Sequence, residues 1–387
     1  MKFDVLVVGA GLAGAALAAA LRGSPLKVGV VEARPPSRPS GWDARIYAIS
    51  PANADFLSAI GIWQHLDPAR IAPVYDMEIH GDAGGRLDFS AYDSGLRELA
   101  WILESSQMQR ELWETIKRQH NVTLLCPAQP AALAIDDSAA RLTLADGRHL
   151  EARLIVAADG RDSWVREAAG IGARHTPYGE KGVVANFRCQ LAHRNTAFQW
   201  FRADGVLAYL PLPEQQMSMV WSAPDAIADE LVALPPDALC ARVAAAGGER
   251  LGRLEPVTPA AAFPLRLMRV DSVVRPRLAL IGDAAHAIHP LSGHGINLGY
   301  QDARVLADQL AALPAWRDPG ELPVLRAYAR ARAEETALLQ TATHGLNRLF
   351  KPTDPVLSGL RNLGLNLTNR LPVLRNALVR YAIAGRF

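Results

Sequence analysis

Residues 282–297 read GDAAHAIHPLSGHGIN, with one acid, three histidines and three glycines in sixteen positions, directly after the apolar run 278–281. The run reads as a buried strand, and 293–297 as the opening of a helix. Asp283, at the strand's C-terminal end, can accept hydrogen bonds from a polyol chain, while glycine amides at a helix start can donate to a nearby anion. Other chemistry fits less well. His286 and His289 lie three apart, whereas a helical zinc pair wants i, i+4 spacing and a third ligand, and Pro290 breaks any helix there. No metal is expected; His286 reads as a hydrogen-bonded structural residue and His294 as a loop residue beside a ligand. Ser292 lacks the G-x-S-x-G turn of a nucleophilic serine.

A second cluster, GAGLAG at 9–14, lies between the β-branched run 3–8 and a small-residue helix over 12–21. In this pattern Gly9 permits the tight turn, Gly11 lets a pyrophosphate approach the backbone, and Gly14 lets helix and strand pack closely. Glu32 closes the next strand, 27–31, where a carboxylate can take ribose hydroxyls. This βαβ unit binds a dinucleotide; by itself it does not choose between NAD and FAD. Two glycine-rich turns far apart in the chain can hold one long cofactor from both ends. A reduced flavin carries negative charge near N1 and O2, which a helix N-terminus stabilises, so the pair favours FAD. A third strand and turn, LIVAADGRDSWVR at 154–166, leaves two roles open for Asp159: a cap for the next helix, or a functional acid.

The 387 residues are 50% hydrophobic and 21% charged, enough for a large core and two or three domains. A net charge of +2, with no RNP or helix-turn-helix pattern, points away from nucleic acid. Cys126, Cys189 and Cys240 are too few and too scattered for a disulfide framework or a zinc ribbon, so a reducing cytoplasm is expected. The N-terminal apolar stretch passes into glycines rather than a cleavage site, and no apolar run approaches the ~20 residues of a membrane span.

Helices are expected over 49–63 and 106–118, with a hairpin over 77–89 turning at Gly84-Gly85. From about 182 to 270 short alternating runs predict a second, mostly antiparallel sheet, and from about 302 the chain reads as helical. The expected class is α/β: a discontinuous FAD-binding Rossmann-like domain with a parallel sheet (1–75, 98–172, 272–340), an antiparallel-sheet substrate domain (76–97, 173–271) and a C-terminal helical segment (341–387).

In this order, GAGLAG with Glu32, AADGRDSWVR and GDAAHAIHPLSGHGINLG resemble the group A flavoprotein aromatic hydroxylases, the fold of para-hydroxybenzoate hydroxylase. RIYAISP at 45–51, GVLAYLPL at 205–212, FPL at 263–265 and LRNLGL at 360–365 are similar to the ubiquinone-biosynthesis hydroxylases of that group. The resemblance implies that Gly9, Gly11, Gly14, Glu32, Arg45, Asp283, Gly293, Gly295, Ile296 and Asn297 hold FAD, and that Asp159 and Gly160 serve both FAD and the passage of NADH or NADPH. It matches Gln109 to a cofactor-contacting position. Pro290, His294 and Gly295 become the flavin-ring environment, with no acid/base pair. Relatives commonly carry Gly-Gln-Gly where this chain has Gly293-His294-Gly295; the glycines keep their backbone role, and ring-position specificity is what the histidine leaves open. The implied reaction is hydroxylation of an aromatic ring with NAD(P)H and O2 through a flavin C4a-hydroperoxide, on a polyprenylated phenol or on another aromatic metabolite. A non-catalytic flavoprotein in a biosynthetic complex is the remaining alternative. No two of the eight tryptophans form the W-x-W pair of flavin halogenases, and an NAD-linked dehydrogenase leaves 282–297 without a role.

Trp200, Tyr209, Leu210, Pro211 and Trp221 are candidates for the substrate wall, with ordinary sheet core as the competing role. Residues 351–387 carry six Lys/Arg and one Asp, and leucines recur there at helical steps up to Pro372 and beyond. Such a segment suits a peripheral contact with the inner face of a membrane or with a biosynthetic complex, or docking on its own domain.

Overall fold

The computed structural model describes residues 1–37, 41–288, 293, 295–350 and 354–371, together with 373, 375, 376 and 379. Strand Lys2–Val8 is the centre of a sheet in which Val28–Val31, Val122–Leu125, His149–Ala157 and Leu278–Leu280 all run parallel, in the order 278–280, 149–157, 2–8, 28–31, 122–125. These strands are nearly continuous Val, Leu and Ile because both sheet faces are covered. Val5 and Val7 pack toward helices, while Leu6 and Val8 pack toward the strands Pro130–Ile135 and Ala140–Leu144 and the short helix Trp164–Ala168.

Helices Leu12–Ala20 and Gly295–Ala311 cross on the first of those faces. Small residues set how closely. A Cβ on Gly282 or Gly299 would lie 3.1 or 3.4 Å from the Ala13 methyl, so the two glycine-rich segments, remote in sequence, close on each other through Ala13.

A nine-stranded, largely antiparallel sheet draws on 76–90, 173–224, 254–270 and 286–287. The hairpin Asp76–His80 and Arg86–Ser90 forms its outer edge, with Gly84 at φ +79 in the turn as expected. Between 182 and 270 the sequence suggested only strands. Helices Asp225–Ala233 and Pro236–Ala246 interrupt them and cover one face with Leu231, Leu239 and Val243. The opposite face meets a third sheet, of Ile46–Ile49, Ala100–Glu104 and Ala72–Val74.

Helix Leu322–Phe350 runs unbroken through 341. Helix Pro355–Asn369 then lies on the edge hairpin, its first turn capped by Asp354. The Oδ1 of Asn362 accepts from the Gly85 amide at 2.8 Å, and a Cβ on Gly81 or Gly85 would fall 2.1 or 2.4 Å from that oxygen. Glycine at both positions is what lets the helix seat so closely. Among the described residues no helix is long and apolar enough to cross a membrane.

Candidate functional site

Four parallel strands end side by side. Their registers align Leu280, Ala157, Val8 and Val31, so the turns beginning at Ile281, Ala158, Gly9 and Glu32 form one row along the sheet's C-terminal edge. At about 4.8 Å per strand the row spans about 14 Å, within reach of one extended dinucleotide. Ligands of open α/β sheets bind at this edge.

Gly9 has φ +100, and a Cβ there would lie 2.4 Å from the Ala158 carbonyl oxygen; a Cβ on Gly14 would lie 2.0 Å from the Gly9 oxygen. Both glycines are demanded by the fold. Gly11 differs: at φ −66 any residue fits its backbone, and a Cβ would meet no atom within 4 Å. Its backbone faces open space at the first turn of helix Leu12–Ala20, where the amides lack intrahelical partners. That opening is the cradle a pyrophosphate needs, so the residues fit FAD. The Glu32 carboxylate accepts from the Ala10 amide at 2.7 Å and the Arg34 amide at 3.1 Å, which fixes it beside this cradle with lone pairs to spare.

At the other end of the row Asp283 is exposed. Tyr47, on strand Ile46–Ile49, is raised by burial; Arg45 opposes that shift and Asp283 adds to it, which places both charges around one phenol. Arg45 is exposed, its amide held by Asp43 Oδ1 at 2.9 Å and its carbonyl by the Ser105 amide at 2.9 Å, at the start of helix Ser105–Lys117, whose Gln109 is half-buried. Gly160 (φ +87) and Gly295 each leave open space where a Cβ would stand. Gly293 (φ +64) lies beside Ala48, and Ile296 packs on the helical core. Pro290 and His294 lie outside the described residues.

Two residues do structural work in addition. Asp159 accepts from Ser163 Oγ at 2.5 Å and the Val165 amide at 3.0 Å, bracing the helix start at Trp164, and burial raises its carboxyl. Asn297 accepts from the Ser50 amide at 3.0 Å and Asn53 Nδ2 at 2.9 Å, and donates to the Ala48 oxygen at 2.7 Å. Its side chain therefore staples helix Gly295–Ala311 to strand Ile46–Ile49 and helix Pro51–Ala59.

A buried network beneath Asp283 has no sequence signature. Asp302 accepts from His286 Nε2 at 2.6 Å, from the Gly282 amide at 2.9 Å and from Arg332 Nε at 2.7 Å. His286 has the structural role expected of it. Nothing in the spacing of Asp302 and Arg332 pairs them; only the crossing of two helices does.

The five wall candidates divide. Tyr209 and Trp221 are buried under helices Asp225–Ala233 and Pro236–Ala246, Tyr209 donating to the Val243 carbonyl at 2.5 Å. Trp200 packs beside them, edge-on to Tyr209 at 4.8 Å, and Pro211 shares the face of Tyr209 by alternation. The helices cover Tyr209 and Trp221, Trp200 is half-buried against the same cluster, and Pro211 lies on the same side of its strand. Leu210 alone faces the other way, toward Ala48 and Ile46. Two cross-strand rows surround it, Asn186–Ser218–Leu210 and Val184–Val220–Ala208. Ala208, Leu210 and Val220 are half-exposed, and the buried Ser218 hydroxyl and Asn186 Oδ1 have no hydrogen-bond partner among the described residues. Asn186 Nδ2 donates to the Asp43 carbonyl at 3.0 Å, tying this face to the loop that carries Arg45.

Residues 2–340 match the family described as FAD binding domain. The chain belongs to the FAD-binding monooxygenase family, and FAD is its cofactor. It is 34% identical over 383 residues to ubiquinone hydroxylase UbiL of Rhodospirillum rubrum (98% of this chain, 89% of the relative), and 33% identical over 384 residues to the 3-demethoxyubiquinol 3-hydroxylase of Escherichia coli (98% of both). Among solved structures a mutant of PqsL from Pseudomonas aeruginosa superposes with a TM-score of 0.80 at 26% identity, covering 94% of this chain and all of that one. The p-nitrophenol 4-monooxygenase PnpA of Pseudomonas putida shares the fold, with a TM-score of 0.79 at 18% identity over 98% of this chain and 97% of that one.

Proposed function

We propose that the protein hydroxylates the ring of a polyprenylated phenol or benzoquinol in ubiquinone biosynthesis, with NADH or NADPH as transient reductant and O2 as co-substrate. The observation that carries this is the face around Leu210. It is mostly apolar, partly open and joined to the Arg45 loop, yet it holds two unpartnered buried polar atoms, Ser218 Oγ and Asn186 Oδ1, as a ring bearing hydroxyl groups on an apolar body requires. The names of the Rhodospirillum and Escherichia relatives support the ubiquinone assignment.

Bound FAD would supply the activation of dioxygen. The chain's residues do the rest. Gly11 and the helix behind it would hold the pyrophosphate, Glu32 the ribose, and Asp283 the ribityl chain. The amides opening helix Gly295–Ala311, with Arg45 and Gln109, would hold the flavin ring, and Gly160 would leave room for the reductant. The Leu210 face orients the substrate and excludes water. The division into an FAD-binding body (1–75, 98–172, 272–340) and a substrate body (76–97, 173–271) belongs to this proposal, as does a membrane or biosynthetic-complex contact through 353–387.

The test is NAD(P)H oxidation coupled to a hydroxylated product, using the purified yellow protein and a short-chain prenyl phenol. Val220→Trp, filling the apolar wall, is expected to raise KM at least about tenfold with flavin content unchanged. Oxidation that no phenol stimulates, or a Val220→Trp enzyme kinetically equal to wild type, would overturn the assignment.

A further inference from the structure

Helix Pro355–Asn369 is docked with its polar side inward. Ser358, Arg361, Asn362, Asn366 and Asn369 recur at three- and four-residue steps and all bond the edge hairpin: Arg361 pairs with Asp82, Asn366 Oδ1 accepts from the Arg86 amide at 2.9 Å, and Asn369 Oδ1 accepts from the Asp88 amide at 3.0 Å. The opposite side, Val356, Leu360, Leu363 and Leu367, therefore faces solvent; Val356 is 70% and Leu363 63% exposed. Leu346 and Leu349, at the end of the preceding helix, are exposed as well. A helix resting on its own domain would bury its leucines and expose its asparagines. This one does the reverse.

Charge selects the occupant. Residues 351–387 carry six Lys/Arg against Asp354 alone; of these Arg361 and Arg375 pair with Asp82 and Asp93, and Arg370 is exposed. Arg370 falls seven residues after Leu363, on the leucine side, and Arg348 is exposed beside Leu349. An apolar stripe bordered by arginines matches acyl chains beneath an anionic headgroup layer.

A cavity lies beside the inner side of the same helix. It measures about 220 Å³ and is lined by Tyr178, Glu180, Arg202, Val206, Asn347 and Phe350. Val206 and Phe350 belong to the cluster that seats Leu365 of the docked helix, and Val206, Ala208 and Leu210 share one face of strand Gly205–Leu212. Four residues of strand, about 13 Å, separate the Leu210 wall from the cavity.

We propose that the outward leucine stripe of helix Pro355–Asn369 binds an anionic lipid surface, so that the cavity beside Phe350 opens toward the bilayer. Its purpose, admission of a prenyl chain, rests on the substrate proposed above; the lipid contact itself does not.

The test is co-sedimentation of the FAD-loaded full chain with phosphatidylcholine vesicles, with and without roughly 30% phosphatidylglycerol. Binding is expected to rise at least about tenfold with the anionic lipid and to fall by a similar factor in Leu360→Gln/Leu363→Gln/Leu367→Gln, while Arg370→Glu loses part of it and added salt weakens the wild type. Flavin absorbance, thermal midpoint and NAD(P)H oxidation with an unprenylated phenol, read on the same samples, show that the variants are folded and keep a failure of the substrate assignment separate from a failure here. Wild-type protein that stays in the supernatant, or a triple variant that sediments like wild type, overturns the proposal. Dissociation of a dimer into monomers by the triple variant, seen by light scattering with no vesicle binding in either form, assigns the stripe to a second copy and also overturns it.

Discussion

Gly14→Val is expected to yield little soluble protein, and that little colourless, whereas Gly11→Ala is expected to fold with a normal thermal midpoint and lose most of its flavin. The two glycines lie three positions apart in one motif, yet they answer to different constraints. A Cβ at 14 would sit 2.0 Å from a backbone oxygen that has nowhere to move, because Gly9 is itself wedged against the Ala158 carbonyl. Helix and strand would have to part, and overpacking of this kind costs about 1–3 kcal/mol or more before any cofactor is considered. At 11 the backbone tolerates any residue and the Cβ points into open space, so the chain alone gives no reason for glycine there. The pyrophosphate proposed to lie over this turn would supply one. Desalting each variant and measuring flavin absorbance per chain, alongside a melt, checks both halves. A Gly11→Ala protein that retains stoichiometric FAD would show that the pyrophosphate does not lie over this turn.

Asp302→Asn is expected to destabilise the protein by about 3–5 kcal/mol, the usual loss when one partner of a buried ion pair is removed and the other charge stays behind. Asp302 and Arg332 are both almost fully buried, and His286 shares the same carboxylate. Burial disfavours charge on all three. For Asp302 the charges of His286 and Arg332, with their hydrogen bonds, outweigh burial and hold the carboxyl below its usual range; for His286 the Asp302 carboxylate outweighs burial and raises the imidazole. The histidine's contribution is thus fully present below the unfolded value near 6.5 and is lost as pH rises through its raised folded value. The carboxylate's contribution is present above about 4 and is lost as pH falls through its lowered folded value. Urea midpoints should form a plateau between roughly pH 4 and 6.5 in the wild type, and this part of the pH dependence should vanish in Asp302→Asn. Because Asp302 also accepts from the Gly282 amide, the variant should hold FAD less tightly even where it remains folded.

The parallel-sheet part of the molecule is legible in the sequence because its constraints are local. A strand that passes straight into glycines, with an acid at the end of the next strand, announces its turn wherever the rest of the chain goes. The antiparallel-sheet part is less so. Strands Gly205–Leu212 and Gln216–Pro224 alternate correctly, but helices pack on one face and the three-stranded sheet on part of the other, so alternation separates two faces without saying which stays partly open. The larger aromatics lie on the helix-covered face, whereas Ser218 and Asn186, small and polar within apolar runs, lie on the face proposed here for the substrate. The helices at 225–246 escaped because their Ala- and Pro-rich stretch lies between strand-like runs. The Asp302 network depends on residues thirty positions apart meeting at a helix crossing, which no local window can register.

The hairpin strand Arg86–Ser90 is the last strand of the nine-stranded sheet, and its outward amides at Arg86 and Asp88 end on Asn366 and Asn369 instead of on another strand. Those two carboxamides terminate the sheet. A chain cut short before the final helix would present an unsatisfied edge to solvent, an invitation to strand addition by its own copies. Loss of the C-terminus would then register as aggregation, whatever that helix contacts in the cell.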